Sequence, residues 1–226
     1  MSLILVYDVE TSGLPLFDQP SEDPRQPHIC QLAACLVDTD TRKTIQSIDL
    51  IIRPDGWEIP DEVAKIHGIT TEYAKEVGVD EIAVISLFLV LWRASPASCV
   101  RIGHNEAFDA RLIRIALKRF SFSQEMVDAW KRGKAECTAK LATPYCKLPP
   151  TDKMKAVGRN HYKTCKLEEA YQAFFRRPML DAHSAMGDVQ ACMAVYWKIK
   201  DMEDMEESVT REDTDLQKKP EEDFEV

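Results

Sequence analysis

Asp8 and Glu10 close an apolar run, LILVYDVETSGL, and two carboxylates in that setting point to chemistry. A strand alternates its side chains with period two, so residues 8 and 10 project from one face at the end of a buried strand. Buried carboxylates side by side repel each other unless protons or cations intervene. Two readings follow, a divalent metal site and an accident of composition. The same D-x-E spacing recurs at Asp201/Glu203, Asp204/Glu206 and Asp223/Glu225, all in an acidic tail. Only the first pair follows Leu3, Ile4, Leu5, Val6 and Tyr7, where a solvated charge pair has no reason to be.

Two further segments carry candidate groups. His104-Asn105-Glu106-Ala107-Phe108-Asp109 sits where an expected strand ends and a helix begins, a join at which side chains gather over a sheet edge. His183-Ser184-Ala185-Met186-Gly187-Asp188 opens the last expected helix, with a histidine five residues before an aspartate. Taken singly, Asp109 reads as a first-turn acid stabilised by the helix dipole, and His183 and Asp188 as surface groups.

The elements that must position these residues follow from the pattern. Residues 3 to 8, 28 to 38, 44 to 53 and 99 to 103 read as strands, the second and third joined by a polar turn as a hairpin. Pro15, Pro20, Pro24 and Pro27 bar regular structure between 11 and 27 and predict a long loop. Pro60 starts a short helix that Gly68 ends, and a second covers residues 82 to 92. From 107 to 120, Phe108, Leu112, Ile115, Ala116 and Phe120 recur at helical spacing with Arg111, Arg114, Lys118 and Arg119 between them, an amphipathic helix with a basic outer face. Helices are also expected at 138 to 146, 166 to 175 and 184 to 200. Beyond residue 204 the sequence has few apolar residues and reads as a disordered tail.

A chain of 226 residues suits one domain, expected over 1–203, followed by the acidic tail 204–226. No apolar run approaches the twenty or so residues needed to cross a bilayer, so the expectation is a soluble, cytoplasmic protein with no membrane contact. Seven cysteines without any CxxC suggest reduced, mostly buried thiols rather than a disulfide framework or a zinc site. The net charge of −9 resides in the tail, where residues 201–226 hold 12 acids and 3 bases. Residues 1–100 hold 16 acids and 7 bases, residues 101–200 hold 10 acids and 19 bases. That asymmetry suits a cation-binding pocket beside a polyanion-binding surface, although charged faces also serve solubility.

Together the segments DVETSGL (8–14), IHGIT (66–70), HNEAFD (104–109) and HSAMGD (183–188) resemble the DEDDh exonucleases, the DnaQ-like family within the ribonuclease H-like superfamily. They come in the family's order and cover nearly the whole body; the basic stretch 144–165 is similar to that of phage and some bacterial exonucleases. The resemblance implies an α/β fold with a mixed five-stranded sheet flanked by helices. It implies a 3′ to 5′ exonuclease that acts on nucleic acid with a free 3′ end and releases nucleoside 5′-monophosphates. It places metal-binding carboxylates at Asp8, Glu10, Asp109 and Asp188, with two divalent ions, Mg2+ or Mn2+, as cofactors. Hard cations want oxygen ligands, and two of them about 4 Å apart can activate the attacking water and hold the departing oxygen. Asp8 is then shared by both ions, Glu10 and Asp188 serve the one carrying the nucleophile, and Asp109 acts through water. His183 is the expected general base, since a tyrosine four residues before Asp188 would mark the sister branch and Ser184 stands there instead.

Substrate contacts implied by the same resemblance are Thr11, Leu14, His67, Asn105 and Phe108, against which stand local roles for Phe108 in the core and Asn105 in a turn. Lys140, Lys147, Lys153, Lys155, Arg159, Lys163 and Lys166 are candidates to follow the phosphates of the remaining strand, or to form a merely solvated face. Single-stranded DNA is the first expected substrate, an exoribonuclease of the ribonuclease T or oligoribonuclease type the nearest alternative, and a catalytically silent binding module of the same fold the next. An aspartyl-nucleophile phosphatase would want a second aspartate where Glu10 stands. The residues identify neither an oligomeric state nor a polymerase or other replication partner.

Overall fold

The computed structural model describes residues 2–93, 99–180 and 182–217, with side chains described as far as residue 208. In chain order the elements are β1 (Leu3–Thr11), β2 (Ile29–Asp38), β3 (Thr44–Ile51), α1 (Asp61–His67), α2 (Thr71–Val77), α3 (Glu81–Arg93) and β4 (Val100–Gly103). There follow α4 (Glu106–Arg119), α5 (Gln124–Arg132), β5 (Ala135–Cys137), α6 (Thr138–Cys146), α7 (Asp152–Ala156), α8 (Leu167–Phe175) and α9 (Ala185–Gln217). The strands form one sheet in the order β3-β2-β1-β4-β5. β1 runs antiparallel to β2 and parallel to β4, so the expected mixed five-stranded sheet is what the chain builds.

Alternation along β1 sorts its side chains between two cores. Leu3, Leu5, Tyr7 and Val9 face Phe88 of α3, Leu112 and Ile115 of α4 and Trp130 of α5. Ile4 and Val6 face the other way, onto Val189, Cys192 and Tyr196 of α9. Asp8 and Glu10 continue the second row, so period two carries both carboxylates to the α9 side of the sheet.

Several elements differ from the sequence reading. Helices α2, α5 and α7 were not expected; α2 and α7 are too short for a 3.6-residue period to register. Ser123 does cap α5, accepting a hydrogen bond from the Met126 amide, a signal visible in the sequence. α9 runs to Gln217, so the irregular tail expected from 204 is corrected as far as that residue. Few apolar residues exclude burial, not helicity, and Met, Glu, Arg, Leu and Gln are good helix formers.

The proline-rich segment is a loop, as expected, but a tied one. Gln26 is 2% exposed, and its side-chain amide accepts from the Leu16 amide at 3.0 Å and donates to the Leu16 and Pro20 carbonyls. The cations of α4 hold the same loop from outside. Arg111 donates to the Leu16 and Gln19 carbonyls, Arg114 to the Ser21 hydroxyl, and Arg119 to the Gln26 and Pro27 carbonyls, while Lys118 pairs with Glu22 at 2.9 Å. The helix has the expected basic outer face, and its charges are spent on the loop.

Gln26→Ala removes the centre of that tie: the Leu16 amide loses its acceptor, and the Leu16 and Pro20 carbonyls each lose one donor. It should destabilise the chain by about 1–3 kcal/mol in denaturant unfolding and speed chymotryptic cleavage at Phe17, which is already exposed.

Candidate active site

β1 delivers Asp8 and Glu10 to the sheet edge, and a register irregularity between Glu10 and Thr11 ends the ladder there. Opposite them, the start of α9 is held by a residue that sequence reasoning missed. Gln31 of β2 accepts from the Ala185 amide at 3.2 Å and donates to Asp49 of β3 at 2.7 Å. One turn on, Asp188 faces the pair from β1. A carboxylate oxygen from each of Asp8, Glu10 and Asp188 lies within 4.8 Å of the others.

Asp109, 3% exposed in the first turn of α4, approaches from the other side of the sheet edge. It lies outside that set of three and accepts from the Val9 amide at 3.2 Å. Of the four acids expected to act together, three converge and the fourth borders them, close enough to raise the Asp8 pKa.

The four carboxyls are hard to ionise in this arrangement. Burial, then the charges of Asp109, Asp188 and Glu10, push Asp8 well above the ordinary carboxylate range. Burial does the same to Asp109, with the Val9 amide opposing it. Glu10 is raised to about 7 by burial and Asp188, and Asp188 to about 6 by burial, against a hydrogen bond from the His183 backbone. Among the described residues no lysine or arginine pairs with any of the four. An all-oxygen, uncompensated donor set of this kind fits a hard divalent cation.

His183 enters on the loop before α9 with a left-handed backbone, φ 65°. Its half-exposed imidazole presents Nε2 at 3.5 Å from Glu168 Oε1 of α8, a carboxylate that the sequence reading did not single out. His67 is the last residue of α1, and its Nδ1 accepts from the Ile69 amide at 3.1 Å. That bond puts the proton on Nε2, which is buried without a hydrogen-bond partner among the described residues. Burial lowers the His67 pKa, partly offset by the Thr11 backbone, which lies beside it.

Leu14 is 74% exposed just beyond them. Asn105 stands at the head of α4 in a left-handed conformation, φ 68°, with its side chain exposed and capping nothing. Phe108 is partly buried against the first core. Beneath the site, His104 links three elements: Nδ1 meets Thr138 Oγ1 and Nε2 meets the Cys165 carbonyl, both at 2.9 Å. Behind Asp109, Tyr7 donates to Glu106 at 2.8 Å, and Arg101 lies 3.4 Å from the same carboxylate and over the Trp130 ring.

Solved structures with the same fold include Escherichia coli Exonuclease I in complex with a dA16 oligonucleotide, at 22% identity and a TM-score of 0.66, covering 88% of this chain and 41% of that one. The zinc-bound E. coli Exonuclease I–ssDNA complex gives 20% identity and a TM-score of 0.68, with 89% and 41% covered. The moderately thermophilic Exonuclease I of Methylocaldum szegediense gives 22% and 0.66, with the same coverage. The chain spans about two fifths of the length of these proteins. No curated protein matches it. The RNase T exonuclease family matches residues 5–196, which take in every acid of the cluster and His183, and the chain belongs to that family.

Proposed function

We propose that this exonuclease-family chain removes nucleoside 5′-monophosphates from the 3′ end of single-stranded DNA in a divalent-cation-dependent reaction. The convergence of Asp8, Glu10 and Asp188 in front of His183 carries the reading. Single-stranded DNA is chosen because the similar Exonuclease I structures hold oligodeoxynucleotides. Asp8, Glu10 and Asp188 would hold the cations, two Mg2+ or Mn2+ ions, with Asp109 contributing through water. When bound, such ions offset the carboxylate repulsion, acidify water and polarise phosphate oxygens.

The protein groups divide the remaining tasks. His183 takes a proton from the attacking water, a role suited to an imidazole near neutral pH. Glu168, beside Nε2, favours the tautomer protonated there and leaves the lone pair on Nδ1. His67, beside the Thr11 backbone, borders the terminal nucleotide, and Asn105 offers it an exposed amide. Leu14 lies against the last base, with Thr11 and Phe108 forming the floor.

Release of monophosphates from labelled single-stranded DNA, duplex DNA and RNA tests the substrate, with single-stranded DNA expected to be fastest; a much faster RNA reaction would reverse that choice. His183→Ala should slow hydrolysis by about 100-fold or more, and near-normal turnover would remove it from the reaction.

The raised carboxyl values also set a stability signature. A group whose folded pKa exceeds its unfolded value near 4 binds protons more tightly when folded, so its contribution is complete at low pH and lost as pH rises towards about 7. Asp8→Asn should therefore abolish hydrolysis yet raise the melting temperature of the metal-free protein at about pH 8 more than at about pH 5. For the wild type, added Mg2+ should give a larger melting shift at the higher pH. A shift independent of pH would contradict cation binding by these carboxyls.

A further inference from the structure

The chain has two basic stretches, and the structure separates them. The first, on α4, is consumed in holding the loop of residues 14–27, where carbonyls, a hydroxyl and Glu22 take up its charges. The second runs from Lys147 to Lys166 and carries six bases against one acid, Asp152. Lys153, Lys155 and Arg159 are exposed in and just after α7. Among the described residues Lys153 and Arg159 meet no carboxylate, while Lys155 makes only an exposed contact with Asp152 at 3.4 Å, a pair of little energetic weight.

The ends of this segment are fixed beside the candidate active site. The Lys163 amide donates to the Leu148 carbonyl at 3.0 Å, closing the loop at its base. The Cys165 carbonyl is held by His104 at the end of β4, the strand that leads into Asn105 and Asp109. Cys165 itself is buried, and α8 begins two residues later, with Glu168 in its first turn against His183. The loop thus springs from the groups that flank the reacting centre, while its cations point to solvent.

We infer that Lys153, Lys155 and Arg159 form a phosphate track for the part of a DNA single strand that lies 5′ of the nucleotide being removed. The inference rests on the nucleic-acid reading of the site and deepens it. A strand entering a cleft of four carboxylates needs cations outside it, and these three are exposed and unspent. Tyr162, half exposed in the same loop, supplies a ring on which a base stacks. The interactions are with phosphates, so they add affinity without sequence preference and weaken with salt.

The test uses the full chain with Lys153→Gln, Lys155→Gln and Arg159→Gln combined, and a charge-matched control with Lys75→Gln, Lys131→Gln and Lys134→Gln. In an Asp8→Asn background, binding of fluorescein-labelled oligothymidylate of about 20 nucleotides, read by anisotropy, should weaken by about 10-fold or more for the loop variant. The slope of log Kd against log salt should fall by about 2, at roughly 0.7 for each phosphate of a single strand that the variant no longer neutralises. The control should keep the parental slope. With Asp8 restored, the loop variant should hydrolyse thymidine 5′-(p-nitrophenyl phosphate), which has no 5′ strand to reach the loop, within about twofold of the parent. An unchanged slope, or the same weakening in the control, overturns the track. Equal defects on the long strand and the small ester also overturn it, because they place the fault in the site. If the unmutated chain hydrolyses neither substrate, the catalytic reading fails, while the binding comparison still decides the loop.

Discussion

Mutual repulsion among Asp8, Glu10, Asp109 and Asp188 is the constraint on which the rest of the structure turns. Each is drawn from water by the sheet edge and pushed upward in pKa by that burial, and each is pushed further by a carboxylate neighbour. Such a cluster does not assemble for its own benefit; the fold must impose it. The imposition comes from β1 at the centre of the sheet, from the Gln31 hydrogen bond to the first turn of α9, and from the Val9 amide on Asp109. The same free energy that opposes the cluster when empty becomes available to bind cations.

Around that centre the polar residues divide into those that hold and those left to act. Glu106 is buried, is met by Tyr7 and lies beside Arg101, so its charge is settled inside the protein. His104 spends both ring nitrogens on Thr138 and Cys165. His67 and His183, by contrast, retain an unpartnered nitrogen and a half-exposed ring. Three histidines of similar sequence setting thus have different roles, and the distinction lies in their partners.

Much of this was legible in residue order. The alternation in LILVYDVET announces the strand and the shared face of Asp8 and Glu10, and four spaced motifs announce the acids and His183. Gly68 ends α1 in a left-handed conformation, as its position implied. What could not be read depends on partners distant in sequence. β5 has three residues and a central Glu136, too few for any period, and forms because β4 offers an edge. The arginines of α4 repeat on the exposed side of a helical wheel, yet their partners lie more than ninety residues away. Gln31, a polar residue between Cys30 and Leu32, was the one hint of a buried polar link that the pattern contained, and nothing local names Ala185 as its partner.

Because the even residues of β1 carry first the α9-side core and then the acids, hydrophobic packing and the placement of the carboxylates are one and the same variable. A one-residue insertion ahead of Asp8 would turn both carboxylates into the layer of Phe88 and Trp130 and leave Tyr7 and Val9 facing Asp188. Length change is therefore absorbed elsewhere, and the long segments 12–28 and 147–166 lie outside the strand phase that carries the acids. In this architecture substrate handling is free to diversify through its loops, whereas the spacing of the central strand is held by the core and the chemistry at once.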